Sequence, residues 1–179
     1  MTQRIGIVLF DDVEELDAVG PWEVLAAWAH HFPDDGVDVS SLSPTGGVVR
    51  AAKGLRMVAD HSFADAPAYD VLLHPGGQGT RPQLRDEQHL EWVRQQRAVV
   101  PLMTSVCTGS LVFAAAGLLR NRPATTHWRS LDLLAQTDRL PVVSPSNVTL
   151  PHRNGPNGPR FGGVMSHCLR ELGAWWSAA

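Results

Sequence analysis

Apolar positions along the chain fall into runs of two kinds. Residues 5–10 (IGIVLF) and 69–74 (YDVLLH) are short continuous runs, the first ended by Asp11-Asp12 and the second by Pro75-Gly76-Gly77, the pattern of strands buried on both faces. Residues 37–42 and 98–104 are further strand candidates, and a short apolar element at 56–59 fits an edge strand or hairpin arm. Helical character lies between these runs. It is predicted at 20–30, with Pro21 at a first helical position, and at 87–97. A long apolar helix is predicted at 108–119, stopped by the residues 120–123 (RNRP), and an amphipathic segment at 128–136. Alternation of apolar strands with helices predicts an α/β sandwich of three layers, with a mostly parallel sheet and helices on both faces. Ligands bind such sheets at the carboxyl ends of the strands. Three chemically suggestive segments fall there: residues 11–17, the glycine-rich loop 76–79, and Ser105-Val106-Cys107-Thr108-Gly109.

Composition narrows the class. With 44% apolar and 18% charged residues in 179, the chain suits one globular domain with a core that needs no covalent staples. Two cysteines, Cys107 and Cys168, are too few for a disulfide framework. The opening MTQRIGIVLF reads as a strand and not as a leader, so a cytoplasmic setting is expected. No apolar run approaches the ~20 residues of a membrane span. A net charge of −3 offers no basic face for phosphates, so neither membrane nor nucleic acid is an expected partner. That charge is unevenly placed. Residues 1–138 carry 11 basic and 17 acidic side chains, whereas 139–179 carry four arginines and one acid, Glu171, with five of the 13 prolines between Pro141 and Pro159. The expectation is a single domain, 1–179, with a regular body at 4–141 and a divergent or altered tail at 142–179.

The 105–109 segment has the spacing of a nucleophile elbow, a sharp strand-to-helix turn that exposes its middle side chain. Cys107 would be that nucleophile, with the following helix end favouring thiolate over thiol. The competing reading is a small buried hydrophobe. Backbone amides of Gly76, Gly77 and Thr108 are candidate donors to developing negative charge, and Gln78 belongs to the same loop; that loop also reads as a plain surface turn. Asp17, in LDAVGP, is an acid among apolar neighbours. It is either a helix N-cap or a proton-transfer group whose pKa a neighbouring thiolate would raise. Glu14 and Glu15 compete for that role. His127, in ATTHW, either lines the pocket or caps a helix. The eight histidines show no metal-ligand spacing, and HExxH, Walker A and dinucleotide motifs are absent.

Taken together, IGIVLF, LDAVGPWEVL, LLHPGGQGT, SVCTGSLVFAAAGLL and RPATTHW resemble the ThiJ/PfpI superfamily, the class I glutamine-amidotransferase-like group, and within it the isonitrile hydratase branch. The resemblance implies a flavodoxin-like fold, usually dimeric. It implies Cys107 as nucleophile, Asp17 as acid/base and Thr108 as a hydrogen-bonding neighbour. Protease-like and deglycase-like members carry His directly after the cysteine; Thr108 stands there in this chain. The implied reaction adds water to a small-molecule isonitrile or similar electrophile, through a covalent thioimidate and with no cofactor, to give an N-substituted formamide. Two alternatives accompany this reading: a ligand-sensing domain like those of AraC-type regulators, and a catalytically inactive relative. Beyond about Leu140 the resemblance fades to the Arg160-Phe161-Gly162-Gly163-Val164 turn.

Overall fold

The computed structural model describes residues 2–138; the expected divergent tail, with Cys168, lies outside the described residues. Chain order is β1 (Gln3–Val8), α1 (Glu15–His31), β2 (Val37–Ser43), β3 (Val48–Arg50), β4 (Arg56–Val58), β5 (His61–Ser62), β6 (Val71–His74), α2 (Thr80–Gln83), α3 (Glu87–Val99), β7 (Leu102–Ser105), α4 (Gly109–Ala115) and α5 (Leu131–Asp138). Five strands pair in the order β5-β2-β1-β6-β7, every neighbour parallel. β3 and β4 form a separate antiparallel hairpin, so the apolar element at 56–59 is a hairpin arm.

Hydrophobic burial holds the layers together. The central strands β1 and β6 are apolar on both faces, with Ile7, Val8, Leu72 and Leu73 almost wholly buried, each side chain removed from water contributing about 1.5–3 kcal/mol. One core cluster joins these strands to Ala18 and Leu25 of α1, while a second joins Leu90 and Val93 of α3 to Leu111, Val112 and Leu134 of α4 and α5. Trp92 and Met103 pack against both clusters. The result is a flavodoxin-like α/β sandwich. Among the described residues no helix is long and apolar enough to cross a membrane.

Several element boundaries differ from the sequence reading. α1 begins at Glu15, five residues before the expected start, and Pro21 lies inside it instead of at its first turn. The amide of Glu14 donates to the Gly76 carbonyl at 2.9 Å, which fixes the helix start by a long-range bond that periodicity cannot show. Glu15 and Asp17 also favour the positive end of the helix. α3 runs on to Val99, and Pro101 separates it from a strand that begins only at Leu102. α4 is seven residues long, not twelve, because the chain turns at Gly117 with φ of 78°. At 128–136 the chain forms a short 3₁₀ turn, Trp128–Ser130, before α5.

Candidate active site

The carboxyl ends of β6 and β7 and the start of α1 converge on Cys107. This residue follows β7 and precedes α4, with φ of +53°, a backbone region that costs a non-glycine residue of order 1 kcal/mol or more. Its carbonyl is held twice, by Thr126 Oγ1 at 3.1 Å and Ser110 Oγ at 3.2 Å. Those two bonds stabilise the turn, and the sequence reading missed both donors. Ser110, three residues after the cysteine at a helix start, was the detectable one; Thr126 depends on how the 124–130 segment folds back. Gly109 permits the tight turn, since a side chain there would collide with the His74 carbonyl.

Asp17 is not an N-cap. It sits in the first turn of α1, where its carboxylate accepts from the Gly76 amide at 3.2 Å and from the Cys107 thiol. Burial holds the Asp17 carboxyl above the usual carboxylate range, with Glu14 adding to the effect. The Cys107 bond, the Gly76 amide and His127 act in the opposite direction. Burial also pushes the Cys107 thiol up to about 11, the Asp17 charge adding to it, against the pull of Thr108. The expected thiolate is therefore corrected to a thiol at neutral pH. Burial beside a carboxylate outweighs the helix end that follows.

Gly76 is the hinge of this cluster. A methyl group on it would lie 2.6 Å from the Thr108 nitrogen and 2.8 Å from both Asp17 Oδ2 and Cys107 Cβ. The expectation of free amide donors also needs correction. The Gly76 amide is engaged by Asp17, and the Gly77 amide donates to Thr108 Oγ1 at 3.0 Å. Thr108 itself is buried and linked to buried Thr80 at 3.3 Å, and its backbone amide pulls the Cys107 thiol down against burial. Gln78 is exposed. His127 is half-buried; its Nδ1 accepts from the Arg129 amide at 3.3 Å, capping the 3₁₀ turn, while its ring stays within electrostatic reach of Asp17. Glu15 points away from the cluster to the backbone amide of Lys53 at 2.6 Å.

Among the described residues no three His, Cys, Asp or Glu side chains group to hold a metal ion. A separate cavity of about 260 Å³ lies beside α1, lined by residues including Val19, Trp22, Met57 and Asp60. None of the Cys107 cluster borders it.

Fold and site together define a flavodoxin-like α/β protein with a cysteine at a strand-to-helix turn beside a partly buried acid. The chain belongs to the DJ-1/PfpI family, whose profile matches residues 3–149. It is 43% identical over 144 residues to an isonitrile hydratase of Pseudomonas putida, a match covering 79% of this chain and 60% of that protein. The HTH-type transcriptional regulator GbdR of Pseudomonas aeruginosa is 33% identical over 144 residues, covering 80% of this chain and 38% of the regulator. In fold, a ThiJ/PfpI family protein from Pseudomonas syringae superposes with a TM-score of 0.72 at 28% identity, covering 86% of this chain and 61% of that one.

Proposed function

We propose that the protein hydrates an isonitrile to an N-substituted formamide, with Cys107 as nucleophile and Asp17 as the proton-transfer group. The observation that carries this is the juxtaposition of Cys107 and Asp17, whose Cβ and Oδ2 both close on Gly76, with the carboxylate half-buried against the thiol. The 43% identity to an isonitrile hydratase supports the substrate class. As sulfur attacks the terminal carbon, a C–S bond forms and Asp17 takes the thiol proton. Asp17 then returns it to that carbon, giving the thioimidate R–N=CH–S–Cys107. Water adds across the C=N bond, hydroxyl to carbon and proton to nitrogen. Collapse of this adduct breaks the C–S bond and forms the formyl C=O, while the hydroxyl proton passes back through Asp17 to sulfur. One isonitrile and one water give one R–NH–CHO, and the thiol is restored. Thr108, through its amide, supports the charge on sulfur during each transfer.

The decisive measurement is formamide formation from a simple alkyl isonitrile. Wild-type protein should turn over, and Cys107→Ala should fall to the uncatalysed rate with an unchanged thermal midpoint. Full activity in Cys107→Ala would sink the proposal. The 33% identity to GbdR favours a second reading, a ligand-sensing domain, which binds a small molecule without consuming it. The same assay separates the two. A homodimer in the cytoplasm belongs to the proposal as well: Leu16, Val19, Leu55 and Val58 expose apolar surface that a second copy would cover. Sedimentation at micromolar concentration should give twice the chain mass; a single-chain mass would remove the dimer.

A further inference from the structure

We propose that Lys53, in the turn between β3 and β4, is a positioning residue for proton transfer at Asp17, acting by holding and neutralising Glu14. The inference deepens the hydratase reading and rests on it in taking Asp17 as the group that moves the proton.

The hairpin turn is docked on the chain just ahead of Asp17. Lys53 Nζ meets both Glu14 carboxylate oxygens, at 2.6 and 2.5 Å, and Glu15 Oε2 at 3.5 Å. Its backbone amide separately donates to Glu15 Oε1 at 2.6 Å, and the Ala52 amide donates to the Val13 carbonyl at 2.9 Å. Glu14 is in turn fixed to the site through its own amide on the Gly76 carbonyl. One anion, Glu14, therefore stands beside the candidate proton-transfer group, with the Lys53 ammonium bound to it.

The groups facing Asp17 are few. Glu14 comes from its own chain segment, Cys107 and the Gly76 amide from the elbow and the glycine loop, and His127 from the 124–130 segment. Glu14 is the anion in this set that opposes ionisation of Asp17, and Lys53 is the cation bound to it. Exposed ion pairs add little to stability, so an arrangement of this kind acts chiefly on local charge. Removing the ammonium leaves the backbone bonds of the turn in place. It also leaves the Glu14 charge uncompensated, which raises the proton affinity of Asp17. The acid limb of activity, which requires the Asp17 carboxylate, then moves to higher pH.

Two readouts test this on the full chain: the pH profile of kcat/KM for formamide formation, and titration of the Asp17 side-chain carboxyl by ¹³C NMR. At low ionic strength Lys53→Met should move both midpoints up by about half a pH unit, and the shift should shrink in high salt. Lys53→Arg should restore the wild-type midpoints. In a Glu14→Gln background Lys53→Met should have no effect, which a general loss of structure would not mimic. An unmoved carboxyl titration in Lys53→Met, or an equal shift with and without Glu14, overturns the inference. Absence of formamide formation by wild-type protein overturns the hydratase reading alone, because the NMR titration still reports the Lys53–Glu14–Asp17 coupling.

Discussion

Cys107 and Asp17 derive their chemistry from one another more than from any helix field. A half-buried thiol with nothing beside it would lose its proton more easily than one facing a carboxylate, because two anions at hydrogen-bond distance repel. Burial and the Asp17 charge both raise the thiol, so the thiol is the resting form. Asp17→Asn separates the two effects of the acid. Without the negative charge, the thiol midpoint should fall from about 11 by about one unit or more, and alkylation by iodoacetamide at pH 8 should accelerate. Formamide formation should nevertheless drop by about 10²–10⁴-fold, the usual worth of a positioned acid/base group. A thiol that becomes both more reactive and more active in Asp17→Asn would show that Asp17 only restrains the cysteine.

At the scale of elements, the site depends on how closely three backbone segments approach. β6 ends in His74, the next residues turn at Gly76, and the elbow at Cys107 and first turn of α1 close on it. Gly76→Ala places a methyl 2.8 Å from Asp17 Oδ2 and 2.6 Å from the Thr108 nitrogen, the second a contact that only backbone movement can relieve. Urea denaturation should show a loss of about 1–3 kcal/mol, with activity falling further than stability; unchanged values of both would mean that the loop yields freely. This convergence was partly legible beforehand. Continuous apolar runs located the sheet strands at 5–10 and 69–74, and the placement of small residues marked the elbow. Long-range bonds were invisible. The start of α1 depends on the Glu14 amide reaching Gly76, 62 positions away, and Lys53 becomes part of the site only because the hairpin folds back onto Glu14. The charge state of Cys107 is hidden from the sequence for the same reason: a helix end can be read locally, whereas a carboxylate beside the sulfur depends on the tertiary fold.

For the whole molecule, the two core clusters meet at a buried pair of histidines. His74 Nδ1 lies 2.9 Å from the Pro75 carbonyl; a carbonyl can only accept, so this nitrogen carries the proton. His74 Nε2 is then the acceptor for His89 Nε2–H at 3.2 Å. Phe10 and Phe113 flank His74, and Phe63 and Trp92 flank His89, so both rings are neutral members of the core. Burial lowers His74 to about 3 and His89 to about 4 from an ordinary 6.5. Both rings bind protons in the unfolded chain well before they do so in the folded one. Stability from the pair is therefore complete above about pH 6.5 and is lost as pH falls toward 4 and then 3, since the unfolded state holds more protons throughout that window. Each ring should remove about 2 kcal/mol of unfolding free energy between pH 7 and pH 5. His89→Phe keeps an aromatic ring against Phe63 and Trp92 but deletes one titrating site. It should be less stable at pH 7, because His74 Nε2 loses its donor, yet its stability should decline with acid about half as steeply as wild type. Denaturation at pH 7, 6 and 5 measures both quantities. Parallel declines in the two proteins would mean that acid sensitivity arises elsewhere and that the histidine seam is only packing.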